Sequence, residues 1–417
     1  MHAISNEPLL DEFEKHLRQQ GYERKTMQQA RASCRRFLAY LKQHGLPLEQ
    51  VTPDILDTYL TAQLHLFQQR HQRLPQDRIP WRHQFTYGIP GFLQYTLGQW
   101  PPKPMPTSGD EAFYDQLAHD YAQWLCDVRG LSPQTITGLQ DEAKRFLNWL
   151  LRLELNGTLG DLSVAQVDAW LTYRLADKRR PTKARLVYSL RSFLRWLHHQ
   201  AFTARDLAAV VNTPSRYALE HLPSALSDEE IDRVLEQTRH DETPKGLRDF
   251  AILTLLAVYG LRAGEIATLR LEDVDWRGQR LFIQHRKTGK ETVLPLLAQA
   301  GEAILAYLRR GRPQTSAREI FIRVRAPHQP FRDGSSLYAL VDRRLQRAGI
   351  KPQGKHGPHA FRHAHALRLI RQGVPLKTIG DVLGHQAPTS TTVYLRLAME
   401  DLRTVALEVP FTLEALS

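Results

Sequence analysis

The groups needed to attack a phosphodiester, a hydroxyl, a guanidinium and two imidazoles, fall within about forty residues towards the end of this chain. His359 and Arg362 form a His-x-x-Arg pair, His385 follows Leu383-Gly384, and Tyr394 stands nine residues beyond His385. A tyrosine hydroxyl is a nucleophile, the arginine fork meets two phosphate oxygens together, and imidazoles move protons. Breaking a diester also takes a second cation on the non-bridging oxygens and an acid for the leaving oxygen. Arg262 lies upstream in Gly260-Leu261-Arg262-Ala263-Gly264-Glu265, at a break after an apolar run. Lys287 lies in Arg286-Lys287-Thr288-Gly289-Lys290, where a turn is expected. Singly these residues have ordinary explanations as caps, surface cations and core rings; in this order they point to phosphoryl transfer.

The elements around them follow from periodicity and punctuation. Ser227-Asp228-Glu229-Glu230 is a capping box that opens a domain. Residues 246–259 are strongly apolar and predict a buried helix ending at Gly260. Residues 280–285 and 291–296 predict two strands of a hairpin turning at Gly289. Helices are expected over 300–310, 335–348, 359–372 and 375–383, with Gly373 as a C-cap and Pro375 in a first helical turn. The run of His356, His359, His363 and His365 raises zinc, but no cysteine or acidic pair completes a four-ligand set at recognisable spacing, so no metal site is expected.

The first half reads as one helical pattern written twice. Residues 7–100 carry apolar positions at helical spacing, with Asn6 or Asp11 as a cap and Gly21 as a stop, and residues 112–205 repeat them. Gly21 matches Gly130, Arg36-Phe37-Leu38 matches Arg145-Phe146-Leu147, and Tyr40-Leu41 matches Trp149-Leu150 at one offset. After a small insertion near Asn156, Asp57-Thr58-Tyr59-Leu60 matches Asp168-Ala169-Trp170-Leu171, and Phe92-Leu93 matches Phe193-Leu194 further on. The copies differ in charge. The second carries Lys178, Arg179, Arg180, Lys183, Arg185, Arg191 and Arg195, whereas the first has Gln84, Pro90 and Gln94 where Arg185, Arg191 and Arg195 stand. Cations near phosphates release counterions and glutamines do not, which assigns the DNA grip to the second copy. Pro90 should also bend or end the first copy's helix.

Composition agrees with a polyanion partner. The 417 residues carry 56 Lys+Arg against 44 Asp+Glu, a net charge of +12. No apolar run approaches the ~20 residues of a spanning helix, and the N-terminus has no apolar signal core. Two cysteines, Cys34 and Cys126, without metal spacing fit a reducing cytosol or nucleoid.

With these residues in place, the chain resembles the tyrosine recombinase family of phage integrases and Xer-type recombinases over roughly residues 110–400. The motifs are Gly260 to Glu265, Lys287 followed by Val293-Leu294-Pro295-Leu296, His359-Ala360-Phe361-Arg362-His363, Leu383-Gly384-His385 and Thr391-Thr392-Val393-Tyr394. The resemblance implies a mainly α fold with a small β-hairpin or sheet in the catalytic domain. It implies three domains: a duplicated core-binding-like copy at 1–105, a core-binding, SAM-like domain at 106–210, and a catalytic domain at 211–417. Tyr394 would form a 3′-phosphotyrosyl link, Arg262 and Arg362 would hold the non-bridging oxygens, and Lys287 would protonate the leaving 5′ oxygen. His359 would assist proton transfer, His385 would bond the scissile phosphate, and Glu265 would brace the arginines. The hairpin reads Lys-Thr-Gly-Lys where the family has Gly-Lys-Gly, which leaves the acid between Lys287 and Lys290, with Lys287 favoured. No cofactor is implied, because the ester conserves the bond energy. The partners implied are double-stranded DNA, further copies in a tetramer and other recombinases, in the bacterial cytoplasm, with residues 399–417 as a docking tail. The alternatives are a type IB topoisomerase and a DNA-binding accessory protein without catalysis.

Overall fold

The structure is a computed structural model and describes residues 7–102, 105–153, 158–212, 225–285, 289–351 and 357–384. Lys287, His385, Tyr394, most of the 206–224 linker and the 399–417 tail therefore lie outside the described residues. By contact the chain divides into two compact units, Pro102–His221 and Met1–Pro101 with Leu222–Ser417.

The first hundred residues form α1 (Glu7–Gln19), α2 (Arg24–Gln43), α3 (Pro53–His71), α4 (Arg78–Thr86) and α5 (Ile89–Leu97). Thr52 caps α3, with Pro53 at its first position. Asp11 lies within α1 and caps nothing, because the helix already begins at Glu7. Helices α4 and α5 part at Gly88, whose φ of +83° and approach to Ala30 leave no room for a side chain, and Pro90 sits in the first turn of α5. The core is built from Phe13, Phe37, Tyr59 and Phe92.

The unit of residues 102–221 holds α6 (Gly109–Asp127), α7 (Pro133–Arg152), α8 (Val164–Leu175) and α9 (Arg180–His199). Its core has Tyr121, Phe146, Trp170 and Phe193. The ring contacts of the two helical sets correspond. Phe13 meets Phe92 edge-on at 5.3 Å, and Tyr121 meets Phe193 edge-on at 5.0 Å. Tyr40 lies 5.2 Å from Tyr59, and Trp149 lies 5.5 Å from Trp170. A short 3-10 turn stands before the third helix of each set, at Leu48–Gln50 and at Leu159–Asp161. The last helix differs: α9 is continuous where the first set is broken into α4 and α5.

The remaining residues have their own core around α11. The elements are α10 (Asp228–Arg239), α11 (Pro244–Tyr259), α12 (Ala263–Ala267), β1 (Val274–Asp275), β2 (Arg280–His285), β3 (Lys290–Pro295), α13 (Ala298–Arg310), α14 (Ser335–Arg347), α15 (Pro358–Arg371) and α16 (Leu376–Val382). The Ser227 capping box is present on α10. Gly373, with φ +76°, closes α15, while Pro375 is the N-cap of α16 rather than its first turn. The hairpin gains a third strand that its short length hid from the sequence, giving an antiparallel sheet in the order β1-β2-β3. The register sets Arg280 opposite Pro295 and His285 opposite Lys290. Strand β2 turns Leu281, Ile283 and His285 inward. Between α11 and α14 lies a buried ion network. Asp249 and Arg344, both fully buried, pair at 2.9 Å, and Arg248 also reaches Asp249 at 2.7 Å.

Candidate active site

Four helix ends converge where the sequence places its cations. The apolar helix α11 stops at Gly260, whose φ of +61° lets its N–H return to the Leu256 carbonyl. Leu261 is buried, and Arg262 becomes the N-cap of α12. Gly264 does not help the chain turn: it lies within α12 and a methyl there would meet nothing within 4 Å. Gly334 matters instead, because a Cβ on it would come within 2.5 Å of the Gly264 nitrogen. That contact packs the loop before α14 onto the Arg262 turn.

The Arg262 side chain is about a quarter exposed, and its Nη1 donates to Glu265 Oε1 at 2.8 Å. Its Nη2 donates to the Gly384 carbonyl at 2.8 Å, and its backbone N–H donates to Glu265 Oε2 at 2.8 Å. Arg362, on α15, is buried; its Nη1 donates to the Gly260 carbonyl at 2.8 Å and its Nη2 to the Leu383 carbonyl. Two guanidiniums from distant segments thus grip adjacent carbonyls at the end of α16, directly before His385.

Burial pushes the Glu265 carboxyl up. Its hydrogen bonds with His285, the Arg262 N–H and the Arg262 side chain outweigh that and hold it below the usual carboxylate range. Glu265 is therefore an anion under the cation it positions. His359 is exposed in the first turn of α15, with the Tyr338 ring at 6.1 Å and the His363 ring at 6.3 Å. His365 instead points into the core, where burial, then the charges of Arg368 and Arg362, drive its pKa down to about 4. Among the described residues, no group of three or more His, Cys, Asp or Glu is arranged to hold a metal ion.

The structure therefore brings Arg262, Glu265 and Arg362 together, with His359 opening on the same helix as Arg362. Lys290, the other candidate acid, begins β3 and is exposed. Sequence reading missed His285, which is buried against Glu265; the inward alternation of β2 was the signal that would have found it.

The cationic side chains between Lys178 and Arg195 do not line one cleft. Arg191 and Arg195 line a cleft of about 480 Å³ with Arg129, Trp124 and the exposed Tyr188. Lys178 lines a different cleft, of about 440 Å³, with Arg145, Arg152 and Arg174. Arg179, Arg180 and Arg185 are exposed and Lys183 is half-buried. Arg129 was not singled out from the sequence because it lies before the repeat's basic run. The first turn of α9 has no acid to meet the helix dipole; it opens instead on Lys178, Arg179 and Arg180.

Comparison with known proteins gives a consistent picture. The model of the phage integrase family matches residues 224–401, and that of the phage integrase N-terminal SAM-like domain matches residues 118–201. A putative integrase/recombinase, y4gC of Sinorhizobium fredii, is 54% identical over 191 residues, covering 46% of this chain and 98% of that protein. The tyrosine recombinase XerD of Proteus mirabilis is 31% identical over 303 residues, covering 70% of this chain and 90% of that one. Among solved structures, a post-cleavage complex of XerH bound to a palindromic difH substrate shares the fold at TM-score 0.54 and 17% identity, over 76% of this chain and 93% of that one. A lambda integrase tetramer bound to a Holliday junction does so at TM-score 0.52 and 16% identity, over 77% of this chain and 88% of that one.

Proposed function

Because this chain belongs to the phage integrase family of tyrosine recombinases, enzymes that break and rejoin DNA, we propose that Tyr394 is its nucleophile and that Arg262 and Arg362 hold the phosphate it attacks. The Tyr394 hydroxyl loses its proton and bonds to phosphorus, the bond to the 5′ oxygen breaks, and Lys287 gives that oxygen a proton. The strand is left as a 3′-phosphotyrosyl ester and a free 5′ hydroxyl. A 5′ hydroxyl from a partner strand reverses the step and completes exchange. His359 assists the proton transfers, His385 bonds the phosphate, and Glu265 keeps Arg262 oriented.

The observation that carries this reading is the convergence of Arg262 and Arg362 on the neighbouring carbonyls of Gly384 and Leu383. Planar forks that meet beside the residue leading to His385 support a shared grip on one phosphate in this reading. The test is a nicked suicide duplex carrying the recombination site, with covalent protein–DNA adduct read on a denaturing gel and mapped by mass spectrometry. The adduct should form at Tyr394 and vanish in Tyr394→Phe, while binding persists. Capture by Tyr394→Phe would overturn the assignment. Binding without capture by the parent chain would favour an accessory DNA-binding protein.

Residues 106–210 supply the main duplex grip in this reading, supported by the cleft of Arg129, Arg191 and Arg195 with its aromatic rings. Residues 1–105 are a second copy of that domain, supported by the corresponding ring contacts, and 211–417 are catalytic. The working state is a tetramer on two duplexes in the bacterial cytoplasm; a tetramer is what the lambda integrase neighbour forms on a Holliday junction. No helix among the described residues is long and apolar enough to cross a membrane.

A further inference from the structure

Strand β2 turns three side chains inward, and the third is not a hydrocarbon. His285 is only 4% exposed, on the same face as Leu281 and Ile283. A buried imidazole costs stability unless its nitrogens are bonded. Both are. Nδ1 lies 2.7 Å from Glu265 Oε1, and Nε2 lies 2.8 Å from Thr292 Oγ1 across the hairpin. Since Glu265 is ionised, Nδ1 carries a proton and donates it. The same Glu265 oxygen also accepts from Arg262. One carboxylate therefore joins His285 to the guanidinium.

The ring has a second neighbour. Gly384 turns with φ +62°, and a Cβ there would stand 2.5 Å from His285 Cε1. The backbone that leads into His385 thus lies directly on the imidazole, and its carbonyl takes the other arm of Arg262. A single rigid ring touches the base of the hairpin, the carboxylate under Arg262 and the turn before His385. Two residues beyond it in the chain stands Lys287.

We propose that His285 is a positioning residue for strand cleavage, holding the Lys287 hairpin and the Gly384 turn in register with Arg262 through Glu265. The proposal rests on the catalytic reading above. Arg262 acts on the non-bridging oxygens and Lys287 on the leaving oxygen of one phosphorus, so their separation must hold to a fraction of an ångström. Backbone pairing of β2 with β3 does not by itself fix where the hairpin sits against α12. A ring wedged between β3, Glu265 and Gly384 does, and the packing asks for glycine at 384.

The full-length chain tests this with the suicide duplex under single-turnover conditions, alongside DNA affinity and thermal melting. His285→Ala should slow adduct formation roughly 10- to 100-fold while DNA affinity stays within about threefold. His285→Asn keeps a donor near the Nδ1 position and should recover most of that rate, whereas His285→Gln, whose amide reaches past it, should not. If His285→Ala fails to fold, the Asn-to-Gln contrast still decides. A duplex with sulfur at the leaving 5′ position needs no acid, so the deficit of His285→Gln should shrink on it. Parent-like cleavage by His285→Ala, equal rates for Asn and Gln, or an undiminished deficit on the sulfur duplex would each overturn the proposal. Failure of the catalytic reading itself would show separately, as adduct formation by Tyr394→Phe.

Discussion

Arg262 donates a hydrogen bond to the Gly384 carbonyl at 2.8 Å, closing a loop of 122 residues. The elements between them in sequence, α12, the sheet and α13 to α16, fold so that these two groups meet. The bond places a cation beside the start of the segment that carries His385 and Tyr394. It also makes Arg262 and the turn before His385 parts of one unit, which several substitutions can probe.

Arg262→Lys keeps the charge but loses the fork, and one ammonium cannot serve both Glu265 and the Gly384 carbonyl from the same position. Adduct formation should fall by about 10² or more, with little change in melting, because the side chain is partly exposed. Arg362→Lys should lower both. It strips partners from the Gly260 and Leu383 carbonyls in the interior, at about 1–3 kcal/mol for each group left unbonded. Paired adduct-rate and melting measurements separate the two behaviours.

Asp249→Ala should be among the most damaging changes far from the reacting groups. It removes one of the two carboxylates that meet the buried Arg344, leaving Asp241 at 2.8 Å, and it removes the carboxylate partner of Arg248. A loss of about 3–5 kcal/mol is expected, since two buried arginines lose a bonded carboxylate in the interior. Chemical denaturation reads it directly, and a midpoint within error of the parent would refute the importance of this network.

Stability should depend on His365 below neutral pH. Its folded pKa is held down to about 4 from a reference of 6.5, so the unfolded chain binds the extra proton between those values. The contribution is fully present above pH 6.5 and is lost as the pH falls towards 4, amounting to about 3 kcal/mol at most. His365→Gln should flatten the melting temperature across that window relative to the parent. Parallel curves would show that the imidazole does not titrate against folding.

The DNA grip predicts a salt signature. Each phosphate contact removed should lower the slope of log K against log salt by about 0.9. Arg191→Gln with Arg195→Gln should lower it by roughly two such steps, and Arg129→Gln by one if the whole cleft faces the duplex. Lys178→Gln tests the other cleft separately. Slopes unchanged in the Arg191 and Arg195 variants would move the DNA surface elsewhere.

Much of this protein was legible in its sequence because the signals are local. The apolar run of α11, the capping box at Ser227 and the turn at Gly289 each follow from side-chain chemistry within a few residues. The family order of Arg262, Lys287, His359, Arg362, His385 and Tyr394 is likewise a one-dimensional pattern. The break in the first set's last helix was foreshadowed by Pro90, although glycine at 88, pressed against Ala30, sets where it falls. What the sequence could not state is which distant groups share a partner. Nothing local tells that Arg362 is buried on the Gly260 and Leu383 carbonyls while His359, one turn away, is exposed. Nor does it separate Lys178 from Arg191: the first lies in the connection before α9 and the second within the helix, and they line different clefts. His285 is the sharpest case. Strand alternation makes it an inward residue, but only the packing of β2 against α12 and the Gly384 turn puts Glu265 at Nδ1 and gives a buried imidazole somewhere to donate its proton.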